Sequence, residues 1–174
     1  YERAELPRPP RWAELRYETT QKLVEMTIIV ADVEGQVHKD VIIERIRHCY
    51  GLGRVSGGTR DRVEHSIDTA IYEGRVESDG TFIWLREDQL RREPRHRPDG
   101  NIEHYPPSEL KVIVLVTAKS MFGAPRRDLL IESARKLGFT RTGGRIEEVI
   151  DSVIQSLLDE GKLGESFGNI HSTD

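Results

Sequence analysis

Two similar stretches decide the fold of this sequence: GFTRTGGRIEEVIDSVIQSLLDEGKLG at residues 138–164 and GLGRVSGGTRDRVEHSIDTAIYEGRVES at residues 51–78. An offset of 87 residues aligns them without a gap over 26 positions, of which six are identical. The identical pairs are Gly51/Gly138, Arg54/Arg141, Gly57/Gly144, Ile67/Ile154, Glu73/Glu160 and Gly74/Gly161. Further upstream an offset of 88 fits better, which predicts the loss of one residue before the shared glycine. The sequence therefore predicts a duplicated unit of about 60 residues.

The spacing of apolar residues predicts two amphipathic helices and a hairpin in each copy. In copy one, the first apolar stripe ends at Cys49, and Gly51 is a stop signal. The second stripe comprises Val63, Ile67, Ala70 and Ile71 in copy one, and Ile150, Ile154, Leu157 and Leu158 in copy two. A Ser-Asp-Gly turn predicts a hairpin within RVESDGTFIWL, whereas the matching KLGESFGNI predicts a reduced hairpin.

The first element of each copy is ambiguous between helix and strand. QKLVEMTIIVADVEG and SELKVIVLVTAKSMFG are rich in β-branched residues, and KVIVLV alone is typical of a buried strand. We predict a helix, because the Pro-Pro-Ser sequence at residues 106–108 is a start signal. Ser108 is the expected N-cap and Glu109 lies in the first turn.

Helix, extended link, helix, turn, helix and hairpin is the order of elements in a winged helix. The predicted fold class is mainly α with small β hairpins (α+β), arranged as tandem winged-helix-like repeats. Repeat one spans residues 19–85, and repeat two spans residues 109–170 with a reduced wing. Residues 1–18 are predicted to be an extended lead-in, and residues 86–108 a charged linker rich in proline and glycine.

Three segments resemble a known family: EGQVHKDVIIERI with the following YGLGR, IEHYPPSELKVIV, and LLIESARKLGFTRTGGRIEEVIDSVIQSLLDEGKL. They resemble a domain of unknown function near the C-terminus of very large bacterial proteins related to superfamily-one DNA helicases, which often carry a Vsr-like endonuclease segment. The resemblance covers about residues 20–165. It implies a setting in DNA metabolism or mobile-element defence, and it implies no catalytic residues. RVSGGTRDR in copy one and the small wing in copy two depart from the pattern.

Composition narrows the class of protein. The net charge is −4 over 174 residues, which argues against a strongly basic nucleic-acid binder. Only RREPRHR, residues 91–97, is locally basic.

No apolar run is long enough for a membrane helix, and the single cysteine excludes an internal disulfide, so we expect a cytoplasmic protein. The first residue is Tyr, which indicates a piece of a longer protein.

The paired glycines invite comparison with phosphate loops, but the surrounding residues differ. A Walker loop requires Lys-Ser/Thr after its last glycine, and GFTRTGGRI has neither residue there. A dinucleotide fingerprint follows a strand, whereas GLGRVSGG follows a predicted helix. We therefore do not predict a nucleotide site.

A nucleic-acid contact fits better, because a winged helix places its third helix against DNA and the start of a helix attracts phosphate. The candidate contacts are Arg54, Arg60, Arg62, Arg75, Arg91, Arg92, Arg95, Arg97, Arg141 and Arg145. Against this, the third helices are acidic. Glu147, Glu148 and Asp151 in copy two would oppose phosphate.

Arg54 and Arg141 also have a structural interpretation. The shared glycines are expected to permit a tight turn and a close approach of helices. Each arginine would then cap carbonyl groups, or pair with Glu73 or Glu160, which recur with it in both copies. We favour this structural role for the two arginines.

No catalytic set is recognisable. The six histidines lack metal-ligand spacing, and Cys49 is expected to be a buried small hydrophobe. We therefore predict no enzyme activity, no cofactor and no metal. The predicted function is an accessory module of a larger helicase-related protein that binds or positions DNA. The alternative is a protein–protein interaction module, since winged helices with acidic third helices often bind proteins.

Overall fold

A computed structural model shows a mainly helical chain with two small antiparallel sheets, which confirms the α+β class. The residues that the structure describes are 1–54, 56–85, 95–97 and 100–173. The chain divides into two compact units, Tyr1–Arg91 (unit 1) and Arg92–Asp174 (unit 2). Each unit has its own hydrophobic core.

Unit 1 begins with a lead-in that contains a 3-10 turn at Leu15–Tyr17. The elements that follow are α1 (Thr20–Glu34), β1 (Val37–His38), α2 (Lys39–Cys49), α3 (Gly57–Tyr72), β2 (Glu77–Ser78) and β3 (Phe82–Trp84). The sheet order is β1-β3-β2, with Val37 and Ser78 both opposite Ile83. The last strand is therefore the central one.

Unit 2 repeats this order after a 3-10 turn at Ile102–His104. Its elements are α4 (Pro107–Met121), β4 (Ala124–Pro125), α5 (Arg126–Lys136), α6 (Gly144–Asp159), β5 (Leu163–Ser166) and β6 (Asn169–Ser172). The sheet order is β4-β6-β5, again with the last strand central. All three helices and the 3-10 turn lie 87 residues after their counterparts. The predicted loss of one residue upstream is therefore wrong.

The first element of each unit is a helix, as predicted. Its β-branched residues do not form a strand because burial on several sides of the helix decides the conformation over local propensity. Val30 in α1 and Val114 in α4 are fully buried. The buried hydroxyl groups of Thr27 and Thr117 donate to the carbonyls of Leu23 and Ile113, four residues earlier. Polar atoms in these apolar helices are thus satisfied internally.

The start of α4 differs slightly from the prediction. The helix begins at Pro107, and Pro106 is the N-cap, so Ser108 lies inside the first turn and does not cap. Proline suits this position because the first helical N–H group has no partner within the helix.

The hairpin of unit 2 is not reduced, which corrects the prediction. β5 and β6 form four residue pairs, whereas β2 and β3 form two. The turn between them consists of Phe167 and Gly168, both with positive φ (51° and 76°). Two left-handed residues in a row match the right-handed twist of paired strands, so SFGN closes a regular hairpin.

The chain ahead of the first helix is part of each unit. In unit 1, Ala4 and Leu15 lie in the core. In unit 2, the described part of the predicted linker 86–108 contributes Ile102 and Tyr105 to the core, so it is not a free linker. None of the helices in the described ranges is both long and apolar enough to cross a membrane.

Candidate nucleic-acid interface

The ten arginines predicted to contact nucleic acid have very different surroundings. Arg54 and Arg141 lie in the turns α2–α3 and α5–α6, are exposed, and form no hydrogen bond or ion pair with any described residue. Arg91 and Arg92 lie outside the described residues. The remaining six are bonded within their own unit, so the two turn arginines stand apart.

The structural role favoured for Arg54 and Arg141 is not observed. Glu160 accepts hydrogen bonds from Lys111 and Lys162 instead. These bonds, with a smaller contribution from Ser156, lower the pKa of Glu160 to about 2. Both turn arginines therefore remain available to an outside partner.

The cap of the α2–α3 turn is Arg47, a residue that the sequence analysis missed. Its Nη1 donates to the carbonyls of Leu52 and Gly53, at 3.2 and 2.5 Å. Arg47 lies in the last turn of α2, where basic residues commonly bind the free carbonyls of a helix end. A basic residue in the last turn of a predicted helix could therefore have identified Arg47 as a cap from the sequence. The residue 87 positions later is the buried Ala134, so unit 2 has no such cap.

The glycine pairs that open α3 and α6 are not required by packing. These are Gly57 and Gly58 in unit 1, and Gly143 and Gly144 in unit 2. None has a left-handed backbone, and a Cβ at any of them would meet nothing within 4 Å. The expected tight turn and close approach are therefore not found at these four glycines, whereas the shared Gly51 and Gly138 do have positive φ, 66° and 93°. The glycine pairs leave the first N–H groups of both helices bare and open to solvent.

Four of the predicted contacts are surface residues with internal partners. Arg60 pairs with Asp40 at 2.5 Å, and Arg145 pairs with Glu103 at 2.6 Å. Arg75 lies 4.0 Å from Glu73. Exposed pairs of this kind are weak and exchange readily with other anions.

Arg62 is the fourth of these residues, and it donates to the backbone carbonyl of Glu18. It thereby ties α3 to the end of the lead-in.

Arg95 and Arg97 are not surface residues, which corrects their predicted role. The Arg97 side chain is only 1% exposed, and both guanidinium groups donate to Glu109 Oε1, at 2.6 Å from Arg95 and 3.2 Å from Arg97. Glu109 itself is fully buried in α4. The charges of RREPRHR that the structure describes thus hold unit 2 together and are not offered to a ligand.

A positive surface surrounds the α2–α3 turn of unit 1. Residues 8–17 and 47–62 together contain seven basic and two acidic residues, in a chain of net charge −4. The lead-in lies beside the turn, because Ala13, Leu15 and Arg16 line one pocket together with Leu52 and Thr59. The corresponding residues of unit 2, 95–104 and 134–149, contain six basic and four acidic residues. Of those six, Arg97 is buried and the Arg95 side chain is only 11% exposed.

The third helix of unit 2 has an acidic surface, as predicted. Glu148, Asp151, Asp159 and Glu160 line an open groove of about 700 Å³ along α6. Arg126 lies in this groove and donates to Asp151 at 2.5 Å. Glu148 is likewise paired with Arg145, and Glu160 with Lys111 and Lys162, so Asp159 is the acid of this groove that forms no ion pair with a described residue.

Comparisons with protein-family models, with curated proteins and with solved structures found no match to this chain.

Proposed function

We propose that this chain is a non-catalytic accessory module of a larger, cytoplasmic, helicase-related protein, and that it binds and positions DNA. One observation carries the proposal. Each unit presents an exposed arginine, Arg54 or Arg141, just ahead of an open Gly-Gly helix start. The arrangement occurs twice, and neither arginine bonds to a residue in the described parts of the chain.

The chemistry of these turns fits phosphate. The bare N–H groups at the start of α3 and α6, together with the helix dipole, favour an anion. A guanidinium group adds charge-assisted hydrogen bonds with the geometry that phosphate oxygens accept. Phosphate contacts of this kind position a protein on DNA without reading its sequence.

The order of elements supports the same interpretation. We assign both units to the winged-helix class, because three helices are followed by a hairpin whose last strand pairs with a short strand after the first helix. In that class the third helix and the hairpin commonly approach DNA. The resemblance of the sequence to a helicase-associated domain points to the same setting.

The proposal is tested by fluorescence anisotropy with a labelled duplex of about 20 base pairs, at about 50 mM salt. The unmodified chain is expected to bind, and binding should weaken steeply as salt is raised. Arg54→Glu combined with Arg141→Glu should lower the affinity at least about tenfold. The matched control is Lys119→Glu, because Lys119 is exposed on the last turn of α4 and forms no ion pair with any described residue. Absence of binding to any nucleic acid at low salt would overturn the proposal.

A protein partner is the second candidate, and the groove of α6 favours it. The groove is lined by four acids and one arginine, so a basic protein surface would complement it better than phosphate. Charge reversal with Glu148→Lys and Asp159→Lys separates the two functions. A large gain in DNA affinity would show that α6 faces DNA. An unchanged DNA affinity would leave this surface for a protein partner.

A further inference from the structure

The lead-in of unit 1 carries aromatic side chains on the surface as well as positive charge. Trp12 is 84% exposed and Tyr17 is 73% exposed. The guanidinium of Arg16 lies 4.7 Å from the centre of the Tyr17 ring. Exposed aromatic rings that occur together with positive charge are typical of interaction surfaces. The lead-in therefore presents a candidate binding surface in addition to packing on the core of unit 1.

In sequence, Trp12 and Tyr17 immediately precede and follow residues that line a pocket beside the α2–α3 turn. Residues 13–16, which lie between Trp12 and Tyr17, form one wall of a pocket of about 360 Å³. Tyr50, Leu52 and Thr59 form the opposite wall. Arg54 belongs to the turn between Leu52 and Thr59. The two segments that line this pocket thus carry both exposed aromatic rings and exposed arginines.

The pocket is held in a fixed shape. The Tyr50 hydroxyl donates to Glu18 Oε2 at 2.6 Å, and Arg62 donates to the Glu18 carbonyl. Leu15 anchors the middle of the wall in the core. A preformed surface loses little conformational entropy when it binds a ligand.

The charges around this surface favour a polyanion. Arg8, Arg11 and Arg54 are exposed and form no ion pair with any described residue. Of the acids nearby, Glu14 is paired with Arg16 at 2.7 Å, and Asp61 is exposed on the first turns of α3. An apolar protein surface would match the rings but would leave the arginines without anionic partners.

We infer that unit 1 binds nucleic acid with unpaired bases, which stack on Trp12 and Tyr17 while Arg8, Arg11 and Arg54 hold the phosphates. This inference rests on the proposed nucleic-acid function and narrows its ligand to a single strand. Proteins that bind single strands combine a positive path with aromatic rings, because every base has a face that stacks. A continuous duplex keeps its bases stacked on each other and leaves these rings unused.

The test compares a single-stranded dT oligonucleotide of about 20 nucleotides with a duplex of the same length, by anisotropy. The single strand is expected to bind at least about tenfold more tightly than the duplex. Trp12→Ala with Tyr17→Ala should remove that preference while the duplex affinity changes less than about twofold. Trp12→Phe with Tyr17→Phe should retain most of it, because Phe still stacks. The control is Tyr72→Ala, an equally exposed ring on the last turn of α3, which should change neither affinity.

The outcomes separate this inference from the function on which it rests. Duplex binding that equals or exceeds single-strand binding overturns the inference but leaves the DNA-binding proposal standing. If the alanine variant loses affinity for the single strand and for the duplex equally, the inference is also overturned. The rings would then contribute to binding without stacking on unpaired bases. Concentration-dependent self-association that Trp12→Ala abolishes would assign the rings to a protein contact and overturn it as well. An oligonucleotide of rU in parallel shows whether the strand is DNA or RNA, and preferred binding of either single strand supports the inference.

Discussion

The two units share one scaffold but use the chain ahead of the first helix in opposite ways. In unit 1, that segment keeps Arg8, Arg11 and its two aromatic rings on the surface. In unit 2, Arg95 and Arg97 turn inward onto the buried Glu109. Helix bounds repeat at a constant offset of 87 residues, so the difference lies in side chains and not in topology. In the described parts of the chain, two units with the same order of elements thus differ in the charge that this segment exposes.

The attachment of this segment shows how the scaffold is kept with different residues. In unit 1, the Tyr50 hydroxyl at the end of α2 donates to Glu18 in the lead-in. In unit 2, the tyrosine has moved to the lead-in, and Tyr105 donates to the carbonyl of Leu137 at the end of α5. Glu18 and Tyr105, like Tyr50 and Leu137, are 87 residues apart. The contact is preserved although the donor has changed sides.

The largest effect is expected from removing the buried carboxylate of unit 2. Glu109→Ala leaves Arg95 and Arg97 as buried charges without their partner, which should lower the free energy of unfolding by about 3–5 kcal/mol. Both tryptophans, Trp12 and Trp84, lie in unit 1. Far-ultraviolet circular dichroism should therefore record the loss, while the tryptophan fluorescence transition of unit 1 is retained.

The matched variants sharpen this comparison. Glu34→Ala removes the fully buried partner of Arg45 and should shift the tryptophan transition instead. Glu103→Ala breaks only the exposed pair with Arg145 and should cost less than about 1 kcal/mol. A loss below about 1 kcal/mol for Glu109→Ala would contradict the assignment of a buried ionic anchor.

A smaller difference is expected where the first helix ends. Gly35 follows α1 with φ 65° and ψ −140°, a backbone region that residues other than glycine avoid. Phe122 follows α4 in the left-handed helical region, with φ 53° and ψ 27°. Gly35→Ala should cost about 1–3 kcal/mol. Phe122→Gly should change stability by less than about 1 kcal/mol, because relief of backbone strain offsets the greater freedom of the unfolded chain. Equal effects of the two changes in thermal unfolding would be inconsistent with these backbone assignments.

The smallest stability effect is expected at the cap of the α2–α3 turn. Arg47→Ala removes two hydrogen bonds to exposed carbonyls and should cost about 0.5–1.5 kcal/mol, measured by urea unfolding followed by tryptophan fluorescence. Arg54→Ala is the control in the same turn and should leave the midpoint unchanged, since Arg54 has no partner among the described residues. A larger loss of stability for Arg54→Ala than for Arg47→Ala would show that Arg54, and not Arg47, stabilises this turn.

Much of the scaffold could be predicted from the sequence. The apolar stripes gave the second and third helices, and the proline-rich entry to α4 identified a helix although KVIVLV resembles a strand. The spacing of apolar residues reflects which face of a helix is buried, so these helices could be predicted from the sequence. The hairpin of unit 2 was misjudged because Phe167 occupies a left-handed turn position that composition alone does not assign to Phe.

The candidate site was harder to predict because a list of arginines carries no information about their partners. Arg95 and Arg97 are adjacent to Arg91 and Arg92 in a basic run, yet a glutamate twelve or more residues later draws them into the core. Conversely, Arg54 and Arg141 recur with Glu73 and Glu160 but do not pair with them. Trp12 and Tyr17 lie in a segment for which the sequence predicted only an extended lead-in. Long-range contacts decided each of these cases.

The most direct test of the central claim compares matched charge reversals in the two units. Arg11→Glu with Arg54→Glu alters unit 1, and Arg127→Glu with Arg141→Glu alters unit 2; all four residues are exposed and lack ion pairs with described residues. Anisotropy titrations with single-stranded DNA at low salt should show at least about a tenfold loss of affinity for the unit 1 pair and less than about threefold for the unit 2 pair. Equal losses, or a larger loss for unit 2, would contradict the account.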